Sequence, residues 1–167
     1  MILILEFVGD KTAPMIRKAT IDDIKTIHAL LKYFGAKGDL LPRPLSRLYD
    51  HMRDFLVYVD PEKEDAILGC CALQFCWEDL AEIRSLAVNE DRFGQDIGTK
   101  LLQAAFEEAQ KFNIKKLFTL TYKPAFFKKF GFVEIDKSEL PIKIWADCIH
   151  CVKFPDCDET AMLKELV

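Results

Sequence analysis

Three places in this chain carry residue types whose spacing could do chemistry. Glu82 interrupts the otherwise apolar run 80–88, LAEIRSLAV. A carboxylate so placed can take a proton from a bound group, or it can pair with Arg84 or Arg43. Downstream, Gly94 and Gly98 stand in LAVNEDRFGQDIGTKLL (86–102), between an apolar run and the start of an amphipathic stretch. Backbone N–H groups at a helix start point together and carry partial positive charge, and glycine allows the angles that make such a nest. That chemistry suits a phosphate, with Asp96 turned to solvent. Thr99 and Lys100 could add a hydroxyl and a charge. Upstream, Arg43 is fixed between Pro42 and Pro44. It has little freedom to lose and presents a planar fork suited to a carboxylate.

These residues must be positioned by a scaffold, and its elements are readable. Residues 16–19 form a short strand. Thr20 then caps a helix carrying Ile24, Ile27, Leu31 and Phe34 at helical spacing, closed by Gly38. Residues 40–44, LLPRP, must be extended because each proline excludes the helical basin for its predecessor. A second helix covers 45–52. Strands follow at 55–59, 66–75 and 80–88, joined first by the turn-rich DPEKED. The helix 97–112 places Ile97, Leu101, Ala105, Ala109 and Phe112 on one face. A strand at 116–121, a short helix at 125–130 and strands at 132–135 and 160–166 complete the order. Alternation along 80–88 puts Glu82, Arg84 and Leu86 on one face. Hairpins first and a βαβ unit afterwards imply an α/β (α+β) fold, with a mixed, mostly antiparallel sheet and helices on both faces. The glycine loop lies at the carboxyl end of its strand, where open sheets bind ligands.

Composition narrows the function classes. The chain has 167 residues, half of them hydrophobic, with a net charge of -4. That balance argues against a protein whose main task is gripping nucleic acid or an anionic membrane. No apolar run approaches the roughly 18 residues of a membrane span. Residues 1–14 read as an N-terminal extension without the features of a signal peptide, and 15–167 as one cytoplasmic domain. Six cysteines are expected to be reduced. Cys70, Cys71 and Cys76 read as small core hydrophobes. Cys148-x-x-Cys151, with His150 and Cys157, has a spacing that zinc uses, but it lacks the second pair, and no metal is expected. His51 reads as a surface residue.

With its flanks, the glycine loop resembles the acetyl-CoA loop of the GNAT acetyltransferases, Gln/Arg-x-x-Gly-x-Gly/Ala entered from a Leu-Ala-Val-like strand end. Leu86-Ala87-Val88 matches that strand end and Gly98 the final glycine. Phe93 stands where Gln or Arg is usual, and Asp96 where the central glycine is usual. Phe127-Lys128-Lys129-Phe130-Gly131-Phe132 is similar to the family's aromatic-x-x-x-Gly-Phe segment. The resemblance spans residues 16–135 and implies acetyl-CoA as cosubstrate. It also implies cofactor contacts along Leu86, Ala87 and Val88 and through Phe93, Gly94, Gln95, Asp96, Ile97, Gly98 and Thr99. The strand's backbone would receive the pantetheine arm like an added strand.

Glu82 is then the implied general base for a protonated amine, and a backbone N–H near Ser85 or Leu86 would stabilise the oxyanion. Many members use a tyrosine at the position of Phe127, which has no hydroxyl, so Thr121 and Tyr122 are the candidates for assisting the departing thiolate. Glu82-Ile83, Cys71-Ala72-Leu73, Phe118-Thr119-Leu120-Thr121 and the Arg43 segment together resemble the acetyltransferase domain of bacterial N-acetylglutamate synthases. That likeness implies L-glutamate as acceptor in arginine biosynthesis, with Leu41, Arg43, Arg84 and Ser85 lining its site, and a homodimer as a common assembly. The alternatives are another amino acid or small amine as acceptor, or a non-catalytic acetyl-CoA-binding module.

Overall fold

Capping chemistry sets the first helix. The Thr20 N–H donates to Asp23 Oδ2 at 2.7 Å, and one 3-10 turn leads into α1 (Ile24–Ala36). Gly38, at φ +76°, ends α1. Its N–H donates to Gly35 O at 3.1 Å and that of Asp39 to Phe34 O at 3.1 Å, the paired bonds of a Schellman close. In this computed structural model, residues 15–141, 144, 148–149, 151 and 153–166 are described. The extension over 1–14 and His150 lie outside the described residues.

The other elements are β1 (Ile16–Lys18), α2 (Leu45–Asp50), β2 (Phe55–Asp60), β3 (Lys63–Phe75), β4 (Leu80–Val88) and α3 (Ile97–Lys111). They continue with β5 (Lys116–Thr121), α4 (Pro124–Lys128), β6 (Val133–Glu134) and β7 (Thr160–Glu165). Among the described residues they build a seven-stranded sheet in the order β1-β2-β3-β4-β5-β7-β6. Every pairing is antiparallel except β4 with β5. One face carries α1 and α2, whose Ile24, Ile27, Leu31 and Leu48 pack with Val57, Cys70 and Ala72. The other carries α3 and α4, with Leu101, Leu102, Ala105 and Phe127 packed on Leu73, Ile83 and Leu117. Each such fully buried aliphatic side chain contributes about 1.5–3 kcal/mol.

Most boundaries differ from the sequence reading by one or two residues, and two departures bear on the packing. β3 begins at Lys63, three residues earlier than expected. The Asp60 carboxylate accepts the Glu62 N–H at 2.9 Å, so the chain reverses within Pro61 and Glu62. Phe112 does not join the apolar face of α3. It follows the last helical residue, and Asn113 at φ +57° turns the chain so that Ile114 N–H bonds Ala109 O. The ring is left 59% exposed, against Phe75 at 5.0 Å between centroids.

Candidate active site

The centre of the site is set by where β4 stops pairing. β4 and β5 share three rungs, Leu80 with Lys116, Ala81 with Leu117 and Glu82 with Phe118. Beyond Glu82 the register ends, while β5 stays paired to β7 as far as Thr121 with Thr160. The facing edges of 83–88 and 119–121 are therefore open to each other. An extended chain can enter there and meet backbone donors and acceptors.

The strand does not alternate regularly. Ala72 pairs with Arg84 and Cys70 with Ala87, so two residues, Ser85 and Leu86, oppose Cys71 alone. Ser85 sits at φ +54°, in the left-handed region. This bulge corrects the expected shared face of Glu82, Arg84 and Leu86. The extra residue sends Leu86 and Val88 toward the α3 side, while Ala87 packs on the α1 side with Ala72. The main chain between Arg84 and Val88 is thereby re-aimed at the open edge.

Just beyond this edge stands the α3 start. Gly94 is at φ +83° and Asp96, the N-cap, at φ +58°, so the loop turns twice in the left-handed region before Ile97 enters the helix. The Asp96 side chain makes no cap hydrogen bond and is exposed, which leaves the first-turn amides of α3 to an anion. A methyl group built on Gly98 would meet Phe126 and Val88 at 3.7 Å, so the surface over Gly98 is close-fitting without being blocked. Gln95 is exposed, and Thr99 is half-buried in the first turn. Phe93 is 60% exposed and stacks toward Phe34 of α1 at 6.4 Å, off the amides. The open edge and the uncapped helix start fit the two ends of a pantetheine diphosphate.

On the α1–α2 face, Glu82 is 8% exposed, and its Oε2 lies 3.5 Å from an Arg84 guanidinium nitrogen. Arg84 also donates to the Gln74 side-chain oxygen. Arg84, Ser85 and Gln74 line a small recess with Arg43, Arg47, His51 and Asp54, together with Leu48, Phe55 and Ala72. Three of the four predicted acceptor residues thus come together, one guanidinium away from Glu82. Leu41, half-buried on the same connection as Arg43, falls outside that lining. His51 is not a plain surface residue. Its Nδ1 lies 3.1 Å from Asp54 Oδ2, and burial pushes the Asp54 carboxyl up despite that partner. Sequence reasoning missed Arg47 and His51, which line the recess with Arg43. Glu159, just before β7, is also pushed up by burial, against the pull of Lys137 and Arg43.

The two predicted hydroxyls differ. Thr121 is buried at the end of β5, and its Oγ1 accepts the Lys123 N–H at 2.9 Å, which leaves its own proton to donate. The Tyr122 hydroxyl already donates to Asp158 at 2.7 Å, and burial together with that carboxylate pushes the phenol up. Phe127 is buried in the core, edge-on to Phe126 and Phe132. Cys70 and Cys71 are fully buried, and burial pushes the Cys70 thiol up to about 12. Among the described residues no group of three or more His, Cys, Asp or Glu could hold a metal, and no helix is long and apolar enough to cross a membrane.

Residues 51–134 match the acetyltransferase (GNAT) domain family, and the chain is 37% identical over 151 residues to an uncharacterized N-acetyltransferase of Chlorobaculum tepidum. That alignment covers 90% of this chain and 96% of its relative. The chain belongs to the GNAT acetyltransferases. As such it takes acetyl-CoA as its cosubstrate. An amino-acid acetyltransferase of Mycobacterium tuberculosis is 30% identical over 132 residues, covering 79% of this GNAT chain and 75% of the relative. The crystal structure of N-acetylglutamate synthase from Neisseria gonorrhoeae, complexed with coenzyme A and N-acetyl-glutamate, superposes with a TM-score of 0.78 at 26% identity. That likeness covers 91% of this GNAT chain and about a third of the gonococcal one, 35%.

Proposed function

We propose that this acetyltransferase moves the acetyl group of acetyl-CoA to the α-amino group of L-glutamate, giving N-acetylglutamate for arginine synthesis in the cytoplasm. The observation that carries the reading is the recess, where Arg43, Arg84 and Ser85 meet beside the buried Glu82 carboxylate. The amino-acid acetyltransferase and N-acetylglutamate synthase likenesses support the same acceptor.

An amino acid's amine is mostly protonated near neutral pH and must lose a proton before it attacks. Glu82, held beside Arg84, accepts that proton directly or through water. The amine nitrogen bonds to the thioester carbonyl carbon and the carbon–sulfur bond breaks. A main-chain N–H near Ser85 or Leu86 holds the carbonyl oxygen as its charge grows. The Thr121 hydroxyl hydrogen-bonds the departing sulfur. Arg43 fixes a carboxylate of the acceptor, while Arg84 orients Glu82. Leu86, Ala87 and Val88 hold the pantetheine arm, and the amides of Gly94 to Thr99 hold the diphosphate.

The test is release of free CoA over a panel of amino acids and small amines. Turnover should require L-glutamate, and Arg43→Ala should weaken glutamate saturation. Turnover with another acceptor alone replaces glutamate by that acceptor. CoA binding with no turnover over the whole panel makes the protein a non-catalytic binding module.

A further inference from the structure

One buried nucleophile takes no part in the reaction as described so far. Cys70 of β3 is fully buried on the α1–α2 face, and burial raises its thiol to about 12, so it keeps its proton at neutral pH. It stands at the end of the β4 bulge, paired with Ala87, the residue that follows Ser85 and Leu86. Its sulfur spans that bulge. Sγ donates to the Ser85 carbonyl oxygen at 3.4 Å, and the Ala87 N–H donates to the same sulfur. A thiol can do both, being a weak donor and a weak acceptor at once.

These two bonds fix the peptide groups on either side of Leu86. In a trans peptide the C=O and N–H point in opposite directions. With the Ser85 C=O turned to Cys70, the N–H of the same peptide, which is that of Leu86, points away from β3. With the Ala87 N–H turned to Cys70, the C=O of Leu86 points away from β3 as well. β3 and β5 lie on opposite sides of β4, and beyond Glu82 β4 no longer pairs with β5. Leu86 therefore presents both of its main-chain groups to the open edge. Ser85 at φ +54° persists only where its surroundings over-determine it, and the thiol is one of the groups that do so.

We propose that Cys70 is a positioning residue for acetyl transfer, its thiol holding Leu86 so that the Leu86 N–H meets the thioester oxygen as negative charge grows there. The inference rests on the proposed direct attack on the thioester. It is independent of which amine attacks, because the oxygen belongs to the acetyl group. Cys70 touches neither substrate, and its sulfur forms no covalent bond in the reaction. A donor aimed in advance needs no reorganisation when charge develops, and loosening it weakens the transition state more than the bound ground state.

Free-CoA release should be measured for wild type, Cys70→Ala and Cys70→Ser, with the acceptor that wild type prefers from the panel. Cys70→Ala removes both bonds, whereas Cys70→Ser keeps a group that donates and accepts. In Cys70→Ala, kcat and kcat/KM for acetyl-CoA should fall together by about tenfold or more, while the dissociation constant of CoA moves by less than about threefold. Cys70→Ser should stay within about threefold of wild type in kcat. A cysteine that only fills space would lower the thermal melt and leave kcat of the folded protein unchanged. If Cys70→Ala does not fold, Cys70→Val, which fills the space without a donor, takes its place. The S–H stretching band of wild type that Cys70→Ser removes should lie at lower frequency than that of an unbonded thiol. A kcat for the variant without a donor within about threefold of wild type overturns the inference, as does a Cys70→Ser variant equally slow or a band at the unbonded frequency. In each of those cases turnover of glutamate leaves the proposed function standing. Turnover of another acceptor alone replaces glutamate, and the same kcat ratio then decides the inference. CoA binding without turnover of any acceptor overturns both.

Discussion

Glu82 is the residue whose surroundings most narrow its use. It is buried, pinned by Arg84, and placed on the last rung before β4 and β5 part. Replacing it with Gln keeps the size and removes the proton acceptor, so CoA release should fall by about 10²–10⁴-fold while CoA binding persists. A variant within tenfold of wild type would assign the base elsewhere. At the other end of the reaction, Tyr122→Phe should leave kcat within about threefold, since that hydroxyl is committed to Asp158. Thr121→Val should slow turnover and Thr121→Ser should restore it. The reverse pattern would move the thiolate's hydrogen-bond donor to Tyr122. Glu82 and Arg43 were legible because each breaks a local pattern, an acid in an apolar strand and a cation between prolines. Arg47 and His51 break none. Their place gains meaning only when the segment around α2 is seen to line the recess with Arg84 and Ser85 of β4.

At the scale of elements, the caps and apolar periods of α1, β4, α3 and β5 told most of what was needed, and the bulge did not announce itself. Ser85 is neither glycine nor asparagine, yet it holds φ +54°. That backbone is over-determined by the strands around it and stores about 1–3 kcal/mol. Glycines in the same neighbourhood separate by what surrounds them. A Cβ on Gly69 would lie 2.9 Å from the Ala87 carbonyl oxygen, inside the β3–β4 pair, whereas one on Gly98 meets side chains at 3.7 Å. Gly69→Ala should therefore destabilise the fold by about 1–3 kcal/mol in denaturant melts. Gly98→Ala should cost nothing, or gain slightly from helix propensity. Equal stability of the two variants would contradict this packing. The first helix supplies a pH test. Burial works to raise the Asp23 carboxyl, but the Arg17 guanidinium and the Thr20 bonds outweigh it and hold Asp23 below its usual 3.8. A depressed folded value adds stability above the unfolded one and loses it as pH falls through the folded value. Asp23→Ala should thus cost about 1–2 kcal/mol at pH 7, and the gap to wild type should narrow below pH 4. A gap constant from pH 7 to pH 3 would remove the charge from that account.

For the whole molecule, the decisive feature is an opening, and openings are hard to read from a chain. The sequence of 80–88 and 116–121 describes two good strands, and nothing in either says that only three rungs will join. The splay arises because β5 keeps its pairing with β7 while the Ser85 bulge turns β4 away. The result is a sheet with two unsatisfied inner edges, beside a helix start that no side chain caps. A ligand that fills both should stabilise the native state by mass action. At CoA a hundred times above its dissociation constant, the gain is about 2.7 kcal/mol. For a chain of this length that corresponds to a rise in Tm of about 5–10 °C. Hydrogen exchange should localise the effect. Amides of 84–88 and 94–99 should gain protection, while those of β1 and β2, on the far side of the sheet, should change least. Dephospho-CoA and pantetheine divide the contribution. If the α3 amides hold the diphosphate, pantetheine should protect 84–88 and leave 94–99 exchanging as in the free protein. Protection of 94–99 by pantetheine alone, or a Tm unmoved by CoA, would mean that the helix start is not the diphosphate's seat.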